Sequence, residues 1–216
     1  MPAARPTAAP APRQRRKDAR PQELLDAALQ LFTEKGFAAT RSEEVAARAG
    51  VSKGTLYLYY ASKEELFKAA VREHLAERIS DGQALLEQHQ GPMVELLAHM
   101  MGEWWRRIGE GPAGGLSKIM LAEGHGLPEL AAFYREEVIE PTHRLIGGLL
   151  ERGIASGEFR PVPVGPTVQV LIGPLLHLIL AEHSFGACLP GDAGLPAQIL
   201  ETQLDLLRHG LLASRP

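Results

Sequence analysis

Residues 49–66, AGVSKGTLYLYYASKEEL, constrain what this chain can become more than any other stretch. Ala49-Gly50-Val51-Ser52 reads as a tight turn closing a short apolar-patterned segment, with Gly50 at the place where the turn needs a residue that tolerates positive φ. A second short segment, residues 53–60, puts Leu56 on one side and leaves Lys53, Thr55, Tyr57 and Tyr59 for the other. Two short helices joined by a turn of this kind make a helix-turn-helix, whose second helix has the size to enter a DNA major groove.

Helical signals extend through the rest of the chain, and no convincing alternation of apolar and polar residues predicts a strand. Pro21 is placed at a helix start, after which Leu25, Ala28, Leu29 and Phe32 repeat at i, i+3, i+4, i+7 until Gly36. Thr40 and Glu43 have the spacing of a capping box, and so do Ser62 and Glu65. A longer helix follows, with Phe67, Val71, Leu75 and Ile79 in line, and would join a small head to a larger body. The body begins near Gly91-Pro92. Its first helix carries Leu97, Met100, Met101, Trp104 and Ile108; adjacent Trp104 and Trp105 cannot both face one side. A segment from Pro128 carries Leu130, Phe133, Tyr134 and Val138, and Pro141 should kink or interrupt it by removing a backbone donor. The stretch from Pro166 to Phe185 is apolar nearly all round, which predicts burial on several sides. Gly186 to Leu195 reads as a loop, and Leu200, Leu204, Leu207 and Leu211 stripe the last helix.

The net charge of −3 hides an asymmetry: residues 1–60 hold ten Lys and Arg against six Asp and Glu, whereas the remainder holds thirteen against twenty. A basic front and acidic remainder suit a chain that presents one end to phosphates. The first twenty residues are rich in Ala, Pro and Arg and lack the apolar core of a signal peptide. Arg13, Arg15, Arg16, Lys17 and Arg20 read most simply as a disordered tail, with tracking of DNA phosphates as an added role. Cys188 is the single cysteine, so an intrachain disulfide is excluded, and a buried inert thiol is its plainest reading. The apolar run from Val168 to Ala181 is too short to span a bilayer and is broken by Gly173, Pro174 and His177, so no membrane partner is expected.

The turn, the Gly54-Thr55-Leu56-Tyr57 opening, the second tyrosine Tyr59 and Ser62-Lys63-Glu64-Glu65-Leu66, with Gly36-Phe37 and Thr40 ahead of them, closely resemble the DNA-binding domain of the TetR/AcrR family of bacterial transcription regulators. The resemblance covers about residues 24–70. A looser one joins residues 121–160 to the body domains of the AcrR-like, drug-responsive branch. It implies an all-α chain in which an N-terminal three-helix helix-turn-helix DNA-binding domain joins a C-terminal helical ligand-binding and dimerisation bundle. The expected divisions are a tail over 1–20, the DNA-binding domain over 21–67, and the effector-binding and dimerisation domain over 68–216.

Resemblance and local chemistry then select the same DNA-facing residues. Lys53, Gly54 and Thr55, after Ser52, open the recognition helix; Lys53 is able to donate to guanine, the Thr55 methyl to meet a thymine methyl, and Gly54 to admit close approach. Tyr57 and Tyr59 resemble the family's pair of aromatic hydroxyl contacts. Thr40 and Lys63 sit at helix N-termini, which favour phosphate, and Arg41 stands where the family more often has Ser or Thr. Tyr60 is given to packing. Effector-pocket candidates are Met100, Met101, Trp104, Met120, Phe133, Tyr134, His143 and His177, since Met and aromatic side chains line adaptable apolar pockets; for any one of them an ordinary core position is the competing reading.

Glu123 and His125, or His177 and His183, lack the i, i+3 or i, i+4 spacing of helical metal ligands. No nucleophile elbow, P-loop or dinucleotide fingerprint occurs. No catalytic residue, metal or cofactor is therefore expected. The resemblance implies a cytoplasmic homodimeric repressor on a palindromic double-stranded operator, released by a small lipophilic effector. A regulator of the same fold without a small-molecule effector, controlled by a protein partner or acting as an activator, stays open. An all-helical enzyme or carrier with a vestigial head is disfavoured by Lys53, Thr55, Tyr57, Tyr59 and Lys63 occurring together.

Overall fold

The computed structural model describes residues 12–186 and 195–213. Among these residues nine helices follow one another. The head holds α1 (Pro12–Lys35), α2 (Ser42–Arg48) and α3 (Lys53–Tyr59). Helix α4 spans 63–88: Lys63–Val71, a wide π turn at Arg72–Ala76, then Glu77–Gln88. Helix α5 spans 93–109, as Met93–Trp104 with a wide turn at Trp105–Gly109. Next come α6 (Gly114–Glu123) and α7, which spans 128–155 as Pro128–Tyr134, a wide turn at Arg135–Ile139, and Glu140–Ala155. The chain closes with α8 (Val164–Phe185) and α9 (Leu195–Leu211).

The head packs Leu24, Phe32, Val45, Leu56, Leu66 and Phe67 with no measurable exposure. Phe32, Phe37 and Phe67 meet pairwise with ring centroids 5.3–5.6 Å apart, two of the pairs edge-to-face, a geometry favoured by the ring quadrupoles. Gly50 has φ +66°, as its turn requires. Ser62 Oγ accepts from the Glu65 N–H at 3.2 Å and starts α4.

Two local expectations shift. Helix α1 begins at Pro12, with Pro21 inside it, so residues 12–20 are helical; Arg, Gln, Lys and Ala are good helix formers. Residues 1–11, the remainder of the expected tail, lie outside the described residues, as do Cys188 and most of the 186–195 loop. The cap of α2 is displaced by one residue: Glu44 reaches back to the Arg41 N–H at 3.2 Å. Thr40 turns inward instead, 1% exposed, its hydroxyl donating to the carbonyls of Gly36 (2.7 Å) and Leu31 (3.2 Å).

In the body, Trp105 takes the core position and Trp104 the partly exposed one, because the buried face runs in i+4 steps through Leu97, Met101 and Trp105. At Pro141 the regular helix is interrupted: Pro128–Tyr134 gives way to the wide turn Arg135–Ile139, where the Glu140 N–H bonds the Arg135 carbonyl, and Pro141 sits in the first turn of the segment Glu140–Ala155, where its missing donor is tolerated. The link between α4 and α5 is capped from α7. Arg152 donates to the carbonyls of Leu86 and His89, and the Glu158 carboxylate accepts from the N–H groups of Met93 (2.7 Å) and Val94 (2.8 Å). Each charge suits the helix end it meets.

Helix α8 is buried on one face only: Val168, Leu171, Leu175, Leu178 and Ile179 are inside, while Val170 and Phe185 are 64% and 61% exposed. At 22 residues it is long and apolar enough to cross a membrane by length and composition alone. The α9 leucine stripe faces the chain's own body, with Leu200 and Leu211 buried and Leu204 and Leu207 packed against the core; Leu206 points outward at 67% exposure.

Candidate DNA-binding surface and effector cavity

Leu56 anchors α3 in the head, so the opposite face is left to solvent. It carries Lys53, Gly54, Tyr57 and Leu58, with Ser52 at its edge. Ser52 Oγ accepts from the Thr55 N–H at 3.0 Å and lies 2.9 Å from the Thr55 hydroxyl. Lys53 pairs with Glu43 of α2 and lies 5.8 Å from the Tyr57 ring centre. The lysine's hydrogen bond holds the Glu43 carboxyl below its ordinary value and raises the lysine's own. Arg41 is exposed beside this surface.

The remaining DNA candidates are placed differently. Thr40 is buried as described. Lys63 folds back onto the turn between α1 and α2, donating to the carbonyls of Phe37 (2.8 Å) and Thr40 (3.0 Å) with its ammonium 4.3 Å from the Phe37 ring centre. Tyr59 and Tyr60 are half-buried against the core. The Tyr60 hydroxyl reaches the Pro21 carbonyl at 3.4 Å, and burial raises its pKa. Leu58, 83% exposed, was not among the candidates; its signal was an apolar residue two positions from the buried Leu56, hence on the opposite side of a helix.

The body contains a cavity of about 450 Å³ between α4, α5, α6, α7 and α8. Leu75, Ile79, Leu97, Met100, Met101, Trp104, Ile146, Leu149, Ile172 and Leu175 make its walls apolar. Leu85, Leu121 and Ile139, all exposed, line it with exposed Arg78, His99 and Arg107; Asp81 and Glu103 line it too, paired with Arg78 (2.9 Å) and Arg107 (2.9 Å), so the solvent side is an apolar rim carrying ion pairs. All three wide turns contribute wall residues. Tyr134 and Ser117 also line it and share a buried 2.9 Å hydrogen bond; burial pushes the tyrosine up to about 12, with the serine bond opposing. His143 lines it 3.1 Å from the Gln169 side-chain nitrogen.

Of the pocket candidates, Met100, Met101, Trp104, Tyr134 and His143 therefore border the cavity. Met120, Phe133 and His177 do not. Met120 is 8% exposed in the core and His177 faces outward. Phe133 sits at the joint between body and head, beneath Arg72 at 4.8 Å and Lys68 at 5.8 Å. Among the described residues no three His, Cys, Asp or Glu gather as metal ligands.

Head and body are also joined through Glu123, which the sequence offers only as a metal-ligand candidate to be set aside. Glu123, at the end of α6, accepts from the N–H groups of Phe37 (3.1 Å) and Ala38 (2.9 Å). Gly36 has φ +83°, and a Cβ there would lie 2.6 Å from the same carboxylate. Helix α6 also supplies Ser117 and Leu121 to the cavity, so one helix touches both the pocket and the head.

Residues 24–70 match the model of the bacterial regulatory proteins, tetR family, and residues 87–187 match the tetracyclin repressor-like C-terminal domain. The HTH-type transcriptional regulator YdeS of Bacillus subtilis is 26% identical over 158 residues, 73% of this chain and 76% of that protein. The HTH-type transcriptional repressor KstR2 of Mycolicibacterium smegmatis is 26% identical over 145 residues, 66% of this chain and 68% of the repressor. The structure of FadR from Bacillus subtilis in complex with stearoyl-CoA superposes with a TM-score of 0.70, covering 85% of this chain and 97% of that one at 21% identity, a likeness of fold.

Proposed function

The chain belongs to the TetR family of bacterial transcription regulators, and from that premise we propose that it is a cytoplasmic homodimeric repressor, released from a palindromic operator by a lipophilic effector. DNA binding through a helix-turn-helix is the family's function, and the family is not enzymatic. The sign of regulation draws support from the similarity to a transcriptional repressor. The outward face of α8 and α9, with Val170, Phe185 and Leu206 exposed, supports an isologous pairing in which a second copy covers it. Such a dimer sets two α3 helices for successive major grooves, ~34–36 Å apart or a multiple of that.

The cavity carries the effector proposal. Its size falls within the usual range for small-molecule sites, ~300–1,000 Å³, and its walls are apolar while Arg78 and Arg107 stand at the solvent side, paired with Asp81 and Glu103. This distribution suits an aliphatic chain, whose anionic head would take the place of a carboxylate at one of the arginines. The FadR structure carries such a ligand, stearoyl-CoA. Binding releases DNA only to the extent that the effector prefers the conformation unfit for the operator. Helix α6, through Glu123, and α4, through its continuity with the head, are the routes by which a filled cavity displaces α3.

The test is a titration of the full chain, bound to a duplex selected from random sequence, with stearoyl-CoA. Trp104 borders the cavity and Trp105 packs behind it, so tryptophan emission should change in step with loss of duplex binding. If long-chain acyl thioesters and free fatty acids leave both signals unchanged, the effector assignment fails. If no sequence is enriched, operator binding fails.

A further inference from the structure

We propose that Leu58 determines specificity by reading the C5-methyl group of a thymine in each operator half-site. The inference rests on the reading above that the outer face of α3 contacts the operator. Leu58 lies opposite the fully buried Leu56 and is 83% exposed, so the fold leaves its side chain in water. One turn earlier stands Gly54, where a Cβ would find only Ser52 Oγ, at 3.8 Å. Helical side chains lean toward the N-terminus, so Leu58 covers the strip beside Gly54. A bare backbone and an isopropyl group therefore stand one turn apart on the exposed side of α3.

The polar inventory of the same helix favours this reading over guanine or adenine recognition. Its sequence, KGTLYLY, has no Arg, Asn or Gln, the side chains that pair bidentately with guanine or adenine in the major groove. Its one cation, Lys53, is paired with Glu43, and the Thr55 hydroxyl is engaged with Ser52. Apart from the Tyr57 hydroxyl, what the exposed face of α3 presents without an internal partner is apolar surface, and the apolar mark of the major groove is the thymine methyl.

Thymine-to-uracil replacement tests this, because uracil keeps every hydrogen-bonding group and lacks only the methyl. Duplexes selected by the full-length protein at fixed salt would be rebuilt with uracil at each thymine in turn. One position per half-site should weaken binding about fourfold, and both half-sites together about fifteenfold, the worth of burying one and two methyl-sized groups. Leu58→Ala, at an exposed position, should melt like the wild type, bind more weakly, and no longer distinguish thymine from uracil there. Lys53→Ala should bind more weakly yet keep the distinction. Uracil tolerated at every position, or a distinction retained in Leu58→Ala, overturns the proposal while leaving operator binding by α3 intact. Wild-type affinity in Leu58→Ala, Tyr57→Ala and Lys53→Ala together would overturn both.

Discussion

Replacing Glu123 by alanine should loosen the head from the body, and the structure sets the size of the effect. The carboxylate accepts two backbone N–H groups, from Phe37 and Ala38. A hydrogen bond to a charged group contributes about 1.5–3 kcal/mol net. The Ala38 bond is solvent-exposed, so water takes over much of it, whereas the Phe37 bond is partly buried. The expected loss is therefore about 2–3 kcal/mol rather than twice a single bond. Glu123→Gln keeps one acceptor oxygen and should lose roughly half as much. Lys63→Met removes the partner that holds the carbonyl side of the same turn, and its effect should not add to that of Glu123→Ala, because both act on residues 37–40. Urea unfolding gives the energies, and amide hydrogen exchange locates them. Unchanged protection at Phe37 and Ala38, together with an unchanged unfolding midpoint, would refute the argument that this carboxylate ties the two parts together.

Three further outcomes follow from particular contacts. Glu158→Ala uncaps the first turn of α5 and should cost about 1–2 kcal/mol in chemical denaturation, with exchange rising at Met93 and Val94. His183, on α8, has its pKa lowered, chiefly by burial, with Lys118 adding to the shift and Glu182 opposing it; the fold therefore favours the neutral ring. Its stability is complete above the ordinary value of 6.5 and is lost as pH falls through that value toward the lower folded one, so melting temperature should drop on acidification, and less in His183→Gln. Leu206→Glu, on the outward side of α9, should yield a folded monomer in sedimentation and abolish tight binding to a palindrome; a dimer that persists would place the pairing surface elsewhere.

Helical periodicity read correctly because each amphipathic segment lies against one core, and the turn at Gly50 was legible because positive φ selects glycine. The misplacements have local causes. Thr40 and Arg41 open overlapping capping windows, with Glu43 and Glu44 both acidic, and the buried hydroxyl of Thr40 settles the register by finding the Leu31 and Gly36 carbonyls. Trp104 and Trp105 exchanged roles because i+3 and i+4 from Met101 are both compatible with a 3.6-residue period, and the buried face takes the i+4 step through Leu97, Met101 and Trp105. The place of Lys63 at a helix N-terminus points to a phosphate; the fold adds carbonyls from a turn more than twenty residues earlier, contacts that spacing along the chain does not show. Glu123 was beyond reach for a similar reason, since its partners lie 85 and 86 positions away. Cavity residues were found where Met and Trp marked them and missed where ordinary leucines and isoleucines build the wall.

The wide turns in α4, α5 and α7 each hold one residue more than an ordinary helical turn, and all three stand at the same cavity. Because the wide turn spreads its extra residue over a full revolution, deleting that residue restores regular helix and leaves the residues beyond it facing nearly as before. In α4, such a deletion would keep Arg78, Ile79 and Gly82 at the chamber and flatten only the bulge beside Leu75. Insertions and deletions of a single codon at these turns thus reshape the chamber wall locally. A lineage carrying them has access to new ligand shapes through changes in length that leave the rest of each helix in register, and the surface that meets DNA need not be altered.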